Sequence, residues 1–450
     1  MDATAAGAWV PQVILGWDAM WVATALLVLT YAVIITERVN RAIVALIGAG
    51  LMIQAGVLDQ AEAVRGIDFN TIALLTGMMV IVAVTRKCGV FQYVAIWSAQ
   101  VVKADPRGVL VMLAIVTAVL SALLDNVTTV LLIAPVTLLI AEELKVDPYP
   151  FLFAEILASN IGGTATLVGD PPNIIIGSAA GLTFNDFVVN LTPIVVPVLA
   201  VTVAVIYLIW RRRLVATDEA RARVMGFKPR EAITDRRLLK QSLFVLALVI
   251  VGFILAHPLH MEPGSIAMLG AAILLLLDNY WRSAEDQSHT THASFGDVEW
   301  IVIFFFIGLF IVVHGVDVAG VLALLGDGLV TATGGDLAVT AVAILWASAV
   351  LSAIIDNIPF VATMIPIIKS LAPTFGGAEN LEPLWWSLSL GACLGGNGTL
   401  IGASANLTVA GLAERAGHPI RFVRFMLLAF PLMLVSIAMS TVYVYVVLLP

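Results

Sequence analysis

The sequence predicts an all-α polytopic membrane protein built as two inverted-topology repeats, and three observations carry that expectation. Of 450 residues, 60% are hydrophobic and only 12% charged, with mean hydropathy +1.02; soluble domains carry roughly a quarter charged residues. The apolar residues fall in unbroken runs such as 242–256 and 421–449, not in the alternating segments of about ten that a membrane β-barrel requires. The chain also repeats itself. VLSALLDN at 119–126 returns as VLSAIIDN at 350–357, an offset of 231, and GGTATLVGDPPN at 162–173 returns as GGNGTLIGASAN at 395–406, an offset of 233. The offset of 231 also carries Pro135 onto Pro366, Gly77 onto Gly308 and Gly89 onto Gly320.

A spanning helix needs about 20 apolar residues. Spans are expected near 17–36, 42–58 and 69–86, followed by a surface helix at 89–104. Residues 107–144 are apolar on both sides of a polar centre at 125–129, which reads as a re-entrant hairpin. A span at 149–181 is interrupted by GGTATLVGDPP, and 191–210 closes the half. Residues 211–240 hold ten Lys or Arg and read as the cytoplasmic linker. The second half repeats the series: spans at 242–256, 264–281 and 299–314, a surface segment, a hairpin at 338–372, an interrupted span at 383–416, and 421–447. The domains are therefore 1–210, 211–240 and 241–450, with about ten spans and two hairpins in all. Five spans per half turn the second half upside down. With the linker inside, only Arg65 and Lys369 of the 23 basic residues fall outside, and both termini are expected outside a plasma (inner) membrane.

The same reading sets aside several classes. Composition excludes an ordinary soluble enzyme, a disordered chain and a nucleic-acid binder. Cys88 and Cys393 make neither a disulfide framework nor a metal cage. No GxxxxGK[ST] motif is present, so the chain carries no ATP engine of its own. Met1 to Trp21 has no basic residue before the apolar run and is not expected to be a cleaved signal peptide. Neither cofactor nor metal is expected, and no nucleophile-and-base set suggests an enzyme.

Inverted repeats with interrupted helices are the architecture of secondary transporters. Irregular backbone survives at membrane depth only where it is packed in protein or lines a wet cavity. The hairpin tips and broken spans are therefore expected to meet near the midplane. Asp125 and Asp356 sit at the two tips. A charge there costs at least ~2.5 kcal/mol, so each must pair, protonate or bind a cation; the plainer reading is that each caps the second hairpin helix. Asn126 and Asn357 follow them, offering donors and acceptors without charge. Thr128 and Thr129 extend the first tip, while the second has Pro359 in the first turn, where proline is tolerated. The broken spans offer Asn160, Gly162, Gly163, Thr164, Thr166 and Asn173, and in the second half Gly395, Gly396, Asn397, Thr399, Ser404 and Asn406. Glycines let the backbone unwind so that freed carbonyls and amides become ligands, or simply let helices pack closely. Asp170 before Pro171 and Pro172 reads first as an N-cap and second as a ligand. Glu155, alone in an apolar run, joins Asp125 and Asp356 as a proton-coupling candidate. His314 reads as a satisfied polar residue and Cys393 as a small apolar filler. No Lys or Arg enters either tip or either broken segment, which suits a cation or a neutral polyhydroxyl solute better than a di- or tricarboxylate.

At these motifs the chain resembles the arsenite efflux permease (ArsB) and melanosomal P-protein group of the ion transporter superfamily. The likeness rests on SALLDNVTTVLLIAPV (121–136), AEILASNIGGTATLVGDPPNIII (154–176) and SAIIDNIPFVATMIPI (352–367). The two Asp-Asn tips and the GDPPN run bring it nearer the P-protein branch. The resemblance implies an elevator transporter in which a scaffold holds a mobile domain of hairpins and broken helices. It implies proton-coupled export of arsenite or antimonite, a homodimer and a cytoplasmic ATPase subunit as partner. The alternatives are a sodium/proton antiporter of the NhaD kind and a carboxylate or other anion symporter.

Overall fold

The computed structural model describes residues 9–36 and 38–449. Among them it is helical throughout, with no strand. The first half holds α1 (Ala19–Ile35), α2 (Arg41–Gln54), α3 (Gln60–Arg65), α4 (Phe69–Arg86), α5 (Val90–Val101), α6 (Pro106–Leu123), α7 (Asn126–Leu144), α8 (Tyr149–Gly163), α9 (Pro171–Ala180) and α10 (Phe184–Trp210). The linker forms α11 (Asp218–Met225). Then come α12 (Arg236–Leu255), α13 (Pro263–Asn279), α14 (Ala284–Gly296), α15 (Trp300–Val318), α16 (Val321–Thr333), α17 (Leu337–Ile354), α18 (Asn357–Ser370), α19 (Glu382–Gly395), α20 (Ser404–Arg415) and α21 (Phe422–Tyr443).

Eight helices of the described residues are long and apolar enough to cross a membrane: α4, α6, α7, α10, α12, α15, α17, and α21 continued to Leu448. The expected inventory of ten spans differs from this in three ways. Both arms of the first hairpin and the first arm of the second are themselves long enough to qualify. Conversely α1, α2 and α13 are apolar but short; the 14 residues of α2 rise only about 21 Å, against a hydrocarbon core of about 30 Å. The interrupted spans are split, α8 from α9 and α19 from α20. The helix expected from 191 starts at Phe184, because Thr183 and Asp186 form a reciprocal capping box there.

Each hairpin breaks over a few residues. Leu124 takes φ −118° and ψ −147°, and Asp125 then caps α7. α17 ends at Ile354 and α18 begins at Asn357. The expected surface helix is α5. Its Phe91, Ala95 and Ala99 are buried at helical spacing while Trp97 and Val101 are exposed, a one-sided stripe.

The chain divides into two compact units that cut across the sequence halves. One comprises the described residues up to Ile72 with Glu299–Thr340 and Ala362–Glu382; the other comprises Ala73–Val298, Ala341–Val361 and Pro383 onward. In the first unit, a Cβ on Gly308 of α15 would lie 2.6 Å from the Ala45 carbonyl carbon of α2, and one on Gly48 would meet Thr30 and Val312. In the second, a Cβ on Gly77 of α4 would lie 2.6 Å from the Ala267 carbonyl carbon of α13, and one on Gly270 would meet Val249 and Ile81. Small residues let helices approach this closely, and the same contact is made once in each unit. His314 sits in the first unit, its Nε2 3.5 Å from Glu62 Oε2.

The linker is stitched to the second unit. Arg223 Nε donates to Glu143 Oε2 (3.0 Å), Gln100 Nε2 to the Phe227 carbonyl (2.6 Å), and Thr234 Oγ1 to the Lys87 carbonyl (2.6 Å). Gly89, at φ 79°, has the Ala232 carbonyl against it where a Cβ would stand.

Candidate functional site

Both hairpin tips and both broken spans belong to the second unit. Each broken span is held by the same bonds. Ser121 Oγ donates to the Ser159 carbonyl (2.6 Å) and Ser352 Oγ to the Ala392 carbonyl (2.7 Å). Thr166 Oγ1 donates to the Ala122 carbonyl and Thr399 Oγ1 to the Ala353 carbonyl, both at 2.5 Å. Asn173 Nδ2 donates to the carbonyls of Thr164 (3.1 Å) and Thr166 (2.9 Å), and Asn406 Nδ2 to those of Gly396 and Thr399 (2.8 Å each). Buried backbone carbonyls must find donors, and the unwound segments find theirs in these side chains. The hairpin serines were missed by the sequence reading, although both lie inside the repeated SALLDN and SAIIDN stretches.

Asn160 is the hub of the centre. It is fully buried. Its Oδ1 accepts from Asn126 Nδ2 (3.1 Å), and its Nδ2 donates to Asn397 Oδ1 (3.0 Å) and Asn406 Oδ1 (2.9 Å). The first tip is thereby joined to both broken spans. Asn173 Oδ1 accepts from Ser389 Oγ (2.6 Å) and Cys393 Sγ (3.4 Å), so Cys393 is a polar neighbour of the centre as well as a filler. Asn126 Oδ1 and Thr129 Oγ1 are buried without a partner.

Both tip aspartates do cap. Asp125 Oδ1 accepts from the Thr128 amide (2.7 Å) and Oδ2 from Thr128 Oγ1. Asp356 Oδ1 accepts from the Ile358 amide (3.1 Å) and Oδ2 from Ser404 Oγ (3.0 Å), which ties the second tip to α20. Asp170, expected first as a cap, makes no cap bond. Pro171 and Pro172 occupy the first helical positions of α9 and have no N–H to give. Its Oδ1 instead accepts a long bond from Asn357 Nδ2 (3.5 Å), and its Oδ2 has no partner.

Not every predicted residue enters the centre. Gly162 and Gly395 serve close packing: a Cβ on either would lie 2.5–2.6 Å from the Cα of Ala118 in α6 or Ala349 in α17. Gly163 and Gly396 likewise leave room for the carbonyls of Gly169 and Gly402. Pro359 is the third residue of α18. Glu155 is fully buried within α8, where Thr137 Oγ1 donates to its Oε1 and its Oε2 has no partner.

The amino ends of α7, α9, α18 and α20 thus meet through Asn126, Asp170, Asn357 and Asn406. Helix N-termini present unsatisfied N–H groups and partial positive charge, and no basic side chain takes part in these bonds. The arrangement suits an oxygen-rich solute held by amides, hydroxyls and helix ends, with aspartates offsetting the positive ends.

A family model described as citrate transporter (CitMHS) matches residues 31–391. The chain belongs to this family. It is similar to an uncharacterized transporter of Mycobacterium tuberculosis (strain H37Rv), 46% identical over 429 residues that cover 94% of this chain and 97% of that protein. It is similar to the 46 kDa membrane protein of Mycobacterium leprae, 44% identical over 94% of this chain and 98% of that protein. The P protein of Homo sapiens is 34% identical over 94% of this chain and 59% of its own length, so the likeness to the P protein is borne out. Among solved structures, the YdaH transporter of Alcanivorax borkumensis superposes with TM-score 0.58 at 14% identity, over 95% of this chain and 96% of that one; this likeness concerns the fold alone. This citrate transporter family member is a multi-pass membrane protein and a secondary transporter.

Proposed function

We propose that this member of the citrate transporter family moves a small oxygen-rich anion, a carboxylate first of all, across the plasma membrane with a coupled proton. The observation that carries the reading is the meeting of four helix N-termini in one amide-lined centre, since such termini bind anions without help from basic side chains. The family description points the same way. The twin bonds at offsets of 231 and 233, and the twin glycine contacts, support two inverted repeats at 1–210 and 241–450 joined by 211–240. Alternating access of the elevator type then carries the centre between faces. A homodimer and a cytoplasmic subunit docked at the exposed Arg211, Arg212 and Arg213 belong to the same proposal.

A second reading, export of arsenite or antimonite, is favoured by one specific feature: the Cys393 thiol beside Asn173, a soft ligand in a centre without basic side chains. Sodium/proton antiport is the third. Everted vesicles containing the chain decide between them when given labelled citrate, labelled arsenite or sodium chloride, with and without a pH gradient. Citrate movement that follows the pH gradient is expected. Arsenite movement without citrate movement selects the second reading, and sodium-driven proton movement alone selects the third.

A further inference from the structure

We infer that Asp170 is the residue that takes up and gives back the coupling proton, while the tip aspartates hold the hairpins. This rests on the proton-coupled reading above and deepens it. Four carboxyls are candidates: Asp125, Asp356, Glu155 and Asp170. Both oxygens of Asp125 receive donors from Thr128, and those of Asp356 receive the Ile358 amide and the Ser404 hydroxyl. Their charged forms are served by fixed donors within the fold. Asp170 is only 1% exposed, holds one long bond at 3.5 Å and has an orphaned Oδ2. The cause is local, for Pro172 has no amide to offer a cap and the next one, the Asn173 N–H, donates to the Asp170 backbone carbonyl (3.0 Å) and not to its side chain. The equivalent position 233 residues on is Ala403, so the repeat does not need an acid here to build its backbone.

A buried carboxylate with an unsatisfied oxygen and no cation is a costly state, and a proton on Oδ2 removes it. The groups that bear on Asp170 are the carboxylates of Asp356 and Asp125, the Cys393 thiol and the Asn357 amide; none is cationic. Glu155 also carries an orphaned oxygen. It lies within regular turns of α8 against Thr137, whereas Asp170 lies on the irregular backbone that separates α8 from α9, the kind of segment that lines a water path. The step is simple in balance: on opening, the Asp170 O–H bond breaks, its proton passes to water, and the carboxylate is left behind. The ionised Oδ1 and Oδ2 then draw the Asn357 amide, so the second hairpin tip senses the charge.

The test needs no transported solute. The full-length chain in lipid vesicles is taken through a pH step while the infrared C=O stretch of a protonated carboxyl is followed. Wild type is expected to show one such titrating band. Asp170→Asn is expected to lose it, and Asp125→Asn, Asp356→Asn and Glu155→Gln to keep it. If Asp170→Asn does not fold, Asp170→Glu is expected to shift the band. A band that survives in folded Asp170→Asn, is unmoved in Asp170→Glu, disappears in a tip variant, is absent from wild type, or answers to sodium chloride at fixed pH overturns the assignment. Failure to transport citrate leaves this result standing, so the two ideas fail separately.

Discussion

Alanine at Gly162 and at Gly395 offers a matched pair of perturbations. A Cβ at Gly162 would stand 2.2 Å from the Ala118 carbonyl oxygen, and one at Gly395 would stand 2.6 Å from Ala349 Cα, where ordinary contact begins at 3.4 Å. The differences, 3.4 − 2.2 and 3.4 − 2.6, mean that α8 and α6, or α19 and α17, must part by about 1.2 and about 0.8 Å. The obstacle in each case is backbone, which cannot swing aside as a side chain would. Such overpacking costs about 1–3 kcal/mol. Removing a helical glycine returns at most about 1 kcal/mol, and less here because both glycines lie in the last turn. A net loss of about 1–2 kcal/mol is expected at each site, a factor of roughly 5–30 in the folded-to-unfolded ratio. Gly411→Ala in α20 is the control, since nothing lies within 4 Å of its Cβ. The measurement is thermal unfolding of the purified variants in one detergent. The reasoning is refuted if Gly162→Ala and Gly395→Ala melt with Gly411→Ala, or if only one of the pair is affected.

Two further perturbations probe the bonds of the centre. Thr166→Val and Thr399→Val each strand one carbonyl, that of the half-buried Ala122 or of the buried Ala353; each is expected to cost about 1–3 kcal/mol in the same unfolding assay, and a large difference between them would show that the repeats are not held alike. Asn160→Ala removes the shared partner of Asn126, Asn397 and Asn406. Uptake in vesicles is expected to fall at least tenfold at equal protein level, and normal uptake would place the hub outside the transport centre.

The duplication, the two tips and the broken spans were legible because each departs from an otherwise uniform apolar background. VLSALLDN and GGTATLVGDPPN are conspicuous for that reason, and the Pro, Gly and Asp they contain do locally what those residues do anywhere. Which amide meets which was not legible. Asn160 and Asn397 stand 237 residues apart, and no periodicity links them. Asp170 shows the limit most clearly. Asp followed by two prolines satisfies every rule for a cap and the start of a helix, yet Pro172 has no amide to give and the Asn173 amide goes to the Asp170 backbone carbonyl, so its carboxylate caps nothing. The number of helices long and apolar enough to cross a membrane differs from the expected number of spans for a physical reason. Hydropathy does not distinguish an arm of a hairpin from a helix that crosses the bilayer, since both are long and apolar.

The two halves share the bonds that hold irregular backbone, and they differ where those bonds are not at stake. Ser121 and Ser352, Thr166 and Thr399, Asn173 and Asn406 are repeated in kind and in partner. Asp170 against Ala403, Asn160 against Cys393 and Glu155 against Leu388 are not. Backbone must be satisfied in both copies, whereas a coupling group is needed once, so the asymmetric positions are where chemistry is free to reside. A swap tests this. In the double variant Asp170→Ala, Ala403→Asp the acid moves to the amino end of α20, whose first residues Ser404 and Ala405 retain the N–H groups that Pro171 and Pro172 lack. The relocated carboxylate then has donors of its own and behaves as an ordinary cap. The double variant is therefore expected to fold at least as well as Asp170→Ala alone, by about 0.5–2 kcal/mol in thermal unfolding, and yet to show no titrating carboxyl band and no pH-driven uptake. Recovery of both in the swapped chain would mean that the centre needs only an acid somewhere on the pseudo-twofold, and that the proline pair after Asp170 has no part in making it exchange protons.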